Sequence, residues 1–351
     1  MGDSVVVGIG YPPHWDVRPE GALAADLAAT AALDPRIELV DCRYVEPDSL
    51  RTARSAPPPH GHLRDLAPEL TRPQRELFAR AEVILTTDLP FGITSLAPGL
   101  RWVQGIGAGV GQLLSADLGE IRVTTAAGVN AASVAEFALA RLLEHAKRLR
   151  EIDEVQRIRG PRRPFGTQLG GRTLGVIGLG RIGTRIAAGA HALGMRVLAV
   201  RRDSAAPRPA CVDEVYAPSR LLAFLPRCDA VIAAAPETRD TADLMDARAF
   251  AAMRPGSFFC NVGRGSLVDE AALIEALDSG HLAGAALDVT REEPLPSGSP
   301  LYDAPRLALS PHVATAAGEH FTGVFALFRE NLSRYLSGRP LLNEVDKNLG
   351  Y

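Results

Sequence analysis

Three side chains in the last third of the chain have the types and settings for acid–base chemistry on a small anion. Arg264 stands between two glycines in Asn261-Val262-Gly263-Arg264-Gly265, directly after an apolar run that reads as a buried strand. A planar guanidinium at such a place is shaped to grip a carboxylate through two parallel hydrogen bonds. Glu293 precedes Pro294 a few residues past a strand ending at Val289, and His312 follows the last strand in Ser310-Pro311-His312. A carboxylate beside an imidazole fixes the ring and raises its pKa toward working pH, so such a pair moves protons. Taken singly, Glu293 beside Glu292 reads as a polar loop residue. Taken together with a nucleotide fold, the three point to one site.

That fold is announced by residues 172–203. Leu174–Ile177 suits a buried strand, Gly178-Leu179-Gly180-Arg181-Ile182-Gly183 follows at once, and Ile186, Ala187, Ala190 and Leu193 then recur at helical spacing. Gly194 stands where a helix ends, and Val197–Val200 supplies a second strand. In this βαβ unit Gly178 makes the tight turn, Gly180 lets a pyrophosphate approach the backbone, and Gly183 lets the helix pack on the strand. The helix N-terminus offers its free N–H groups to the phosphates.

Elsewhere the chain continues in the same rhythm. Strands are expected at Val5–Ile9, Ile37–Val40, Val83–Thr86, Leu100–Gln104, Ala230–Ala235, Ser257–Val262, Ala283–Val289 and Leu307–Leu309, with helices between them. Alternation of this kind predicts an α/β chain with parallel, doubly wound sheets that bind ligands at the carboxyl ends of their strands. Gly105-Ile106-Gly107-Ala108-Gly109-Val110-Gly111 reads as a loop whose amides face a ligand, or as a bare turn. Ser133-Val134-Ala135-Glu136 fits a capping box opening a helix to about Arg150, with His145 packed beside its apolar stripe. Residues 54–73, rich in Pro, Arg and His, read as a solvated loop, with a lid or inter-subunit arm as the other reading. Phe321 to Leu336 forms an amphipathic helix stopped by Gly338 and Pro340.

Composition narrows the function. At 351 residues two domains are expected, and 46% hydrophobic with 23% charged residues is the balance of a soluble globular chain. A net charge of -3 offers no basic surface for nucleic acid. Cys42, Cys211, Cys228 and Cys260 are far apart and read as buried free thiols of a reducing cytosol. His60 and His62 lack the partners of a metal site, and no apolar stretch suggests a membrane span or a leader. A cytoplasmic protein with a small-molecule substrate is the expectation.

The motifs Gly178–Gly183, Asn261–Gly265, Leu287-Asp288-Val289 with Glu293-Pro294, and Ser310-Pro311-His312 together resemble a known family. It is that of the D-isomer specific 2-hydroxyacid dehydrogenases, of the glyoxylate/hydroxypyruvate reductase and phosphoglycerate dehydrogenase type, and the likeness runs from Leu85 to Tyr351. The resemblance implies two Rossmann-like domains, one flavodoxin-like and one dinucleotide-binding, with a cleft between them. The first would be discontinuous, residues 1–112 plus 317–351, and the second, residues 113–316, would bind NAD(P). It further implies that Arg264 binds the substrate carboxylate and keto oxygen, that His312 is the general acid/base, and that Glu293 pairs with His312. The amides of Ala108 and Gly109 would hold the carboxylate from the other domain. Arg181 and Ile182 would line the pyrophosphate, and Ala235, Pro236 and Thr241 the rest of the cofactor's place. Val262, Gly263, Arg264, Asp288 and His312 would lie toward the nicotinamide. The region from Ser133 would make a homodimer, and substrate would draw the two domains together.

The chain departs from that pattern at Gly111, where an acid is usual, at Thr290, where an aromatic is usual, and in the inserted segment 54–73. The fourth departure concerns the cofactor: Arg201 and Arg202 stand where NAD-specific members place a carboxylate for the ribose. NADP(H) is therefore expected, its 2′-phosphate held by the two guanidinium groups. NAD(H) stays possible through Asp203, were the loop shifted by two residues. The expected reaction is reduction of a 2-oxo acid to the (R)-2-hydroxy acid. The alternatives are a non-catalytic NAD(H)-sensing binding protein of the co-repressor kind and a formate- or phosphite-type dehydrogenase. Formate enzymes typically carry Gln where Glu293 stands.

Overall fold

The computed structural model describes residues 4–55 and 59–347. The chain divides into two compact units: the described residues up to Asn130, with those from Ala316 onward, and Ala131–Thr315.

The first unit is built on five parallel strands, β1 (Val5–Ile9), β2 (Ile37–Asp41), β3 (Val83–Thr86), β4 (Trp102–Gly105) and β5 (Arg122–Thr124), in the order β2-β1-β3-β4-β5. This is the flavodoxin-like order, and its strands end in loops on one edge of the sheet. β3 and β4 are buried along their whole length, as a central parallel strand covered by helices on both faces must be. The helix Ala317–Leu336 lays Phe321, Val324, Phe325, Phe328 and Leu332 on one face of the sheet. Each buried phenylalanine contributes about 1.5–3 kcal/mol. Asn331, fully buried among them, is satisfied by Gln104 Oε1 (3.0 Å) and by the carbonyl and N–H of Leu342 (3.1 and 2.7 Å).

The second unit is a seven-stranded parallel sheet: β6 (Thr173–Ile177), β7 (Arg196–Val200), β8 (Glu214–Tyr216), β9 (Ala230–Ala233), β10 (Ser257–Asn261), β11 (Leu282–Leu287) and β12 (Leu307–Leu309). Their order, β12-β11-β10-β9-β6-β7-β8, reverses between β6 and β9. A dinucleotide fold opens its crevice at such a switch point.

Several sequence-based expectations change. The division falls at 130/131 and 315/316, not at 112/113 and 316/317. The reason is β5, which pairs with β4, and Asn343, whose side-chain amide donates to Thr125 and Ala127 carbonyls (3.1 and 2.9 Å). β5 and β8 are three-residue strands carrying Arg or Glu, so no apolar run marks them. The helix near Ser133 begins at Ala131, which puts Ser133 inside its first turn; it ends at Lys147. Arg148 then takes a left-handed conformation (φ 56°) and a separate helix, Leu149–Ile158, follows. His145 stacks on Phe258 with ring centroids 4.5 Å apart. Three of the four free cysteines are buried and Cys211 is half-buried.

Segment 54–73 is largely solvent-exposed, as expected, but it is not all loop. Its described residues include the end of the helix Asp48–Ser55, a 3-10 turn at Gly61–Leu66 and the start of the helix Arg72–Arg80; Pro57 and Pro58 lie outside the described residues. Arg54 is fully buried, ion-paired with Glu46 and hydrogen-bonded to Ser115 Oγ and Leu89 O (both 2.7 Å). This packing also accounts for Gly111. A Cβ there would stand 2.8 Å from Ser55 Cα, so the acid usual at that place has no room.

Candidate active site

The glycine turn after β6 has the shape each glycine was expected to give. Gly178 has φ +94°, and a Cβ on it would lie 2.6 Å from Ala235 N on the neighbouring β9 loop. A Cβ on Gly183 would lie 1.9 Å from Gly178 O, so only glycine lets the helix Arg181–Ala192 close on the turn. At Gly180 a Cβ would meet no atom within 4 Å, which leaves the backbone open to an approaching group. An open glycine, the first N–H groups of a 12-residue helix and the switch point suit a dinucleotide pyrophosphate. Arg181 is exposed at this helix start and Ile182 half-buried. Across the crevice Ala235 is buried, Pro236 is exposed, and Thr241 Oγ1 donates to Pro236 O (2.8 Å), which closes the loop between them.

At the end of β7 the two arginines part company. Arg201 turns its guanidinium onto the carbonyls of Ala206 and Pro207, while Arg202 is exposed. Asp203 Oδ1 accepts the N–H groups of Ala205 and Ala206 (both 3.1 Å), so one oxygen of its carboxylate is engaged in its own turn.

The three chemistry-bearing residues come from the carboxyl ends of β10, β11 and β12. Arg264 follows β10, where Gly263 packs so closely that a Cβ would lie 2.7 Å from Ala235 O. Asn261 braces the turn, taking the Gly263 N–H (3.0 Å) and donating to Arg264 O (2.8 Å). A Cβ on Gly265 would stand 2.0 Å from the Thr290 carbonyl, so the Arg264 turn and the loop bearing Glu293 touch backbone to backbone. His312 Nδ1 lies 2.8 Å from Glu293 Oε2, and the other carboxylate oxygen accepts the Thr290 N–H (3.1 Å). With Nδ1 donating to the carboxylate, Nε2 is the nitrogen left for a substrate. The His312 side chain is 47% exposed, so Nε2 is reachable from solvent.

Electrostatics follow the geometry. The Glu293 hydrogen bond holds the His312 imidazole above its ordinary pKa, against burial and the nearby Arg264 charge, which both push it down. Burial alone would raise Glu293, but the hydrogen bond and charge of His312, with the Thr290 N–H and Arg264, bring it below the usual range. Arg264 therefore acts on both partners.

The sequence reading missed what holds His312 in place. His312 is left-handed (φ 54°), an uncommon conformation for a side-chain-bearing residue. Its N–H bonds Asp288 O (2.8 Å), and the Asp288 carboxylate takes the N–H groups of Val313 and Ala314 (3.0 and 3.1 Å) and Ser310 Oγ (2.9 Å). Asp288, placed at the nicotinamide end by resemblance, thus has both oxygens engaged in folding the His312 loop. Its 3% exposure this close to a strand end was the available signal, and only the fold reveals it. Val262 is buried in a core cluster that also holds Ala286, Ala308 and Ala314. Ala108 and Gly109 belong to the first unit, exposed on the loop after β4. Among the described residues no group of His, Cys, Asp or Glu could hold a metal ion, and no helix is long and apolar enough to cross a membrane.

Comparison with known proteins identifies the family. The family profile described as D-isomer specific 2-hydroxyacid dehydrogenase, NAD binding domain, matches residues 139–314. A glyoxylate reductase of Aeropyrum pernix is 34% identical over 279 residues, covering 76% of this chain and 82% of that enzyme. A D-3-phosphoglycerate dehydrogenase of Mycobacterium leprae is 36% identical over 238 residues, 65% of this chain but 43% of that protein, so the match spans less than half its length. Among solved structures, a D-isomer specific 2-hydroxyacid dehydrogenase of Xanthobacter autotrophicus Py2, in complex with NADPH and MES, aligns with a TM-score of 0.77 and 28% identity over the whole of both chains. The chain therefore belongs to the D-isomer specific 2-hydroxyacid dehydrogenases, a family of NAD(P)-dependent oxidoreductases.

Proposed function

We propose that this protein reduces a 2-oxo acid to the (R)-2-hydroxy acid with NADPH, and catalyses the reverse. The observation that carries the reading is the His312–Glu293 pair, 2.8 Å apart beside Arg264 on the loops that end β10 to β12. Gly178, Gly180, Arg181, Ile182 and Gly183 would cradle the pyrophosphate, Ala235, Pro236 and Thr241 would line the cofactor's path, and Val262, Gly263 and Asp288 would face its far end. When bound, the nicotinamide supplies the hydride that adds to the carbonyl carbon. His312, protonated, hands the Nε2 proton to the carbonyl oxygen, and Glu293 stabilises the cation before transfer. Arg264 grips the carboxylate and polarises the keto oxygen. Oxidation of NADPH in the presence of glyoxylate, hydroxypyruvate, pyruvate and bulkier 2-oxo acids tests the reaction and ranks the substrates. No turnover with any of them would favour the NAD(H)-sensing alternative. Glu293 in place of Gln speaks against the formate branch.

For the cofactor, Arg201 and Arg202 would together face a 2′-phosphate from the end of β7, Arg201 also bonding the carbonyls of Ala206 and Pro207 in the loop that follows. Binding of NADPH by the Xanthobacter autotrophicus relative supports the same preference. The ratio of kcat/KM for NADPH to that for NADH should exceed one. It should fall by about ten- to a hundredfold in Arg202→Ala, the worth of one charge-assisted contact. Arg201→Ala should weaken both cofactors through the loop. A wild-type ratio below one, or one unmoved in Arg201→Ala/Arg202→Ala, would return the assignment to NAD(H).

We further propose a cytoplasmic homodimer. The helix Leu149–Ile158 buries none of its residues and leaves Leu149, Ile152 and Ile158 exposed, apolar surface that a second copy would cover. Sedimentation should give twice the chain mass, and Ile152→Asp should shift it toward the monomer.

A further inference from the structure

The Arg264 turn, the Glu293 loop and the loop that follows Thr241 meet at one side chain outside the catalytic trio. Arg291 Nε donates to Val268 O (2.9 Å), directly after the Arg264 turn, and its guanidinium also pairs with Asp243. The Arg291 backbone N–H is held by Glu270 Oε1 (2.7 Å) at the start of the helix Glu270–Asp278. Asp243 is itself left-handed (φ 51°), with its N–H on Ser266 O (2.8 Å), and Met245 bonds Leu267 O (2.9 Å). On either side of Arg291, Thr290 and Glu293 lock their own loop: Thr290 N–H on Glu293 Oε1 (3.1 Å) and Thr290 Oγ1 on Glu292 O (2.8 Å).

We propose that Arg291 is a positioning residue for the reaction, setting the spacing between Arg264 and the Glu293–His312 pair by tying both loops, and the cofactor-side loop, to one guanidinium. The inference rests on reading Glu293–His312 as the proton device. A monopolar or apolar side chain cannot reproduce it, because the guanidinium fork reaches a carbonyl on one loop and a carboxylate on another. The Arg291–Asp243 pair is about half exposed on both sides, so it adds little to global stability. What it fixes is geometry. Glu293 is held from one side by Thr290, whose backbone is in contact with Gly265, and from the other by His312. Releasing Arg291 frees the Thr290–Glu293 segment to drift from the imidazole. The groups acting on His312 are Glu293, Arg264 and Asp288. Glu293 and Asp288 both follow β11, but Asp288 is fixed to the His312 loop by Ser310, Val313 and Ala314, which leaves Glu293 as the one that Arg291 holds.

The test is Arg291→Met, with Arg291→Lys and Asp243→Asn as companions. For 2-oxo acid reduction, kcat should fall about five- to tenfold in Arg291→Met, the cost of a small misplacement of the acid. The KM for NADPH should stay within about twofold. The alkaline limb of the kcat profile should move to lower pH, since a loosened Glu293 supports the imidazolium less. Arg291→Lys and Asp243→Asn should fall between wild type and Met. A wild-type kcat with an unmoved limb in Arg291→Met overturns the proposal, as does a fallen kcat with an unmoved limb and a lowered Tm, which is a structural loss alone. If His312→Gln keeps wild-type turnover, the site reading itself has failed. If His312→Gln is inactive and Arg291→Met is normal, only the role of Arg291 is lost.

Discussion

His312→Gln should lower kcat for 2-oxo acid reduction by about a hundred- to ten-thousandfold while leaving NADPH binding intact. Gln preserves a hydrogen bond to Glu293 but has no proton to give, so the loss falls on the chemical step. The wild-type pH profile carries a matching signature. Glu293 raises the His312 pKa, so protonated His312 persists above the ordinary 6.5, and reduction should stay fast below that raised value and decline as pH rises through it. Oxidation of the hydroxy acid needs the neutral imidazole and should rise over the same interval. Stopped-flow rates in both directions check this. A variant that binds NADPH and turns over like wild type would remove His312 from the role.

Arg264→Met should cut kcat/KM for the 2-oxo acid by about a hundredfold or more, because the carboxylate loses two charge-assisted hydrogen bonds. Its second effect has a definite sign. The Arg264 charge holds His312 down, so removing it should move the alkaline limb of reduction to higher pH. Arg264→Lys separates the two functions, since it keeps the charge and should restore the limb, while the missing fork leaves KM high. Steady-state profiles of the three proteins decide the matter. An unmoved limb in Arg264→Met would mean that Arg264 stands too far from the imidazole to act on it.

Much of this site was legible before any coordinates, and the reason is local. A turn that must approach a phosphate requires glycine, so Gly178, Gly180 and Gly183 announce themselves by type and spacing within one βαβ unit. Arg264 flanked by glycines and His312 after a short apolar strand are equally local patterns. The edge strands β5 and β8 were not legible, since three polar-flanked residues become a strand only by pairing with a neighbour. Segment 54–73 was legible only in its exposure, for a related reason. Its Arg54 resembles a surface charge until Glu46, Ser115 and Leu89 are gathered around it from distant positions.

The sequence by itself determined the class of fold, the dinucleotide turn and which residues have chemistry to offer, because these depend on backbone conformation and residue type within a few positions. Only the tertiary structure decided how those residues are held. The left-handed His312 hung from Asp288, the commitment of Arg201 to its own loop, and the convergence of three loops on Arg291 join residues up to 48 positions apart. Such contacts have no spacing rule, since they exist only once the strands have placed their carboxyl ends side by side.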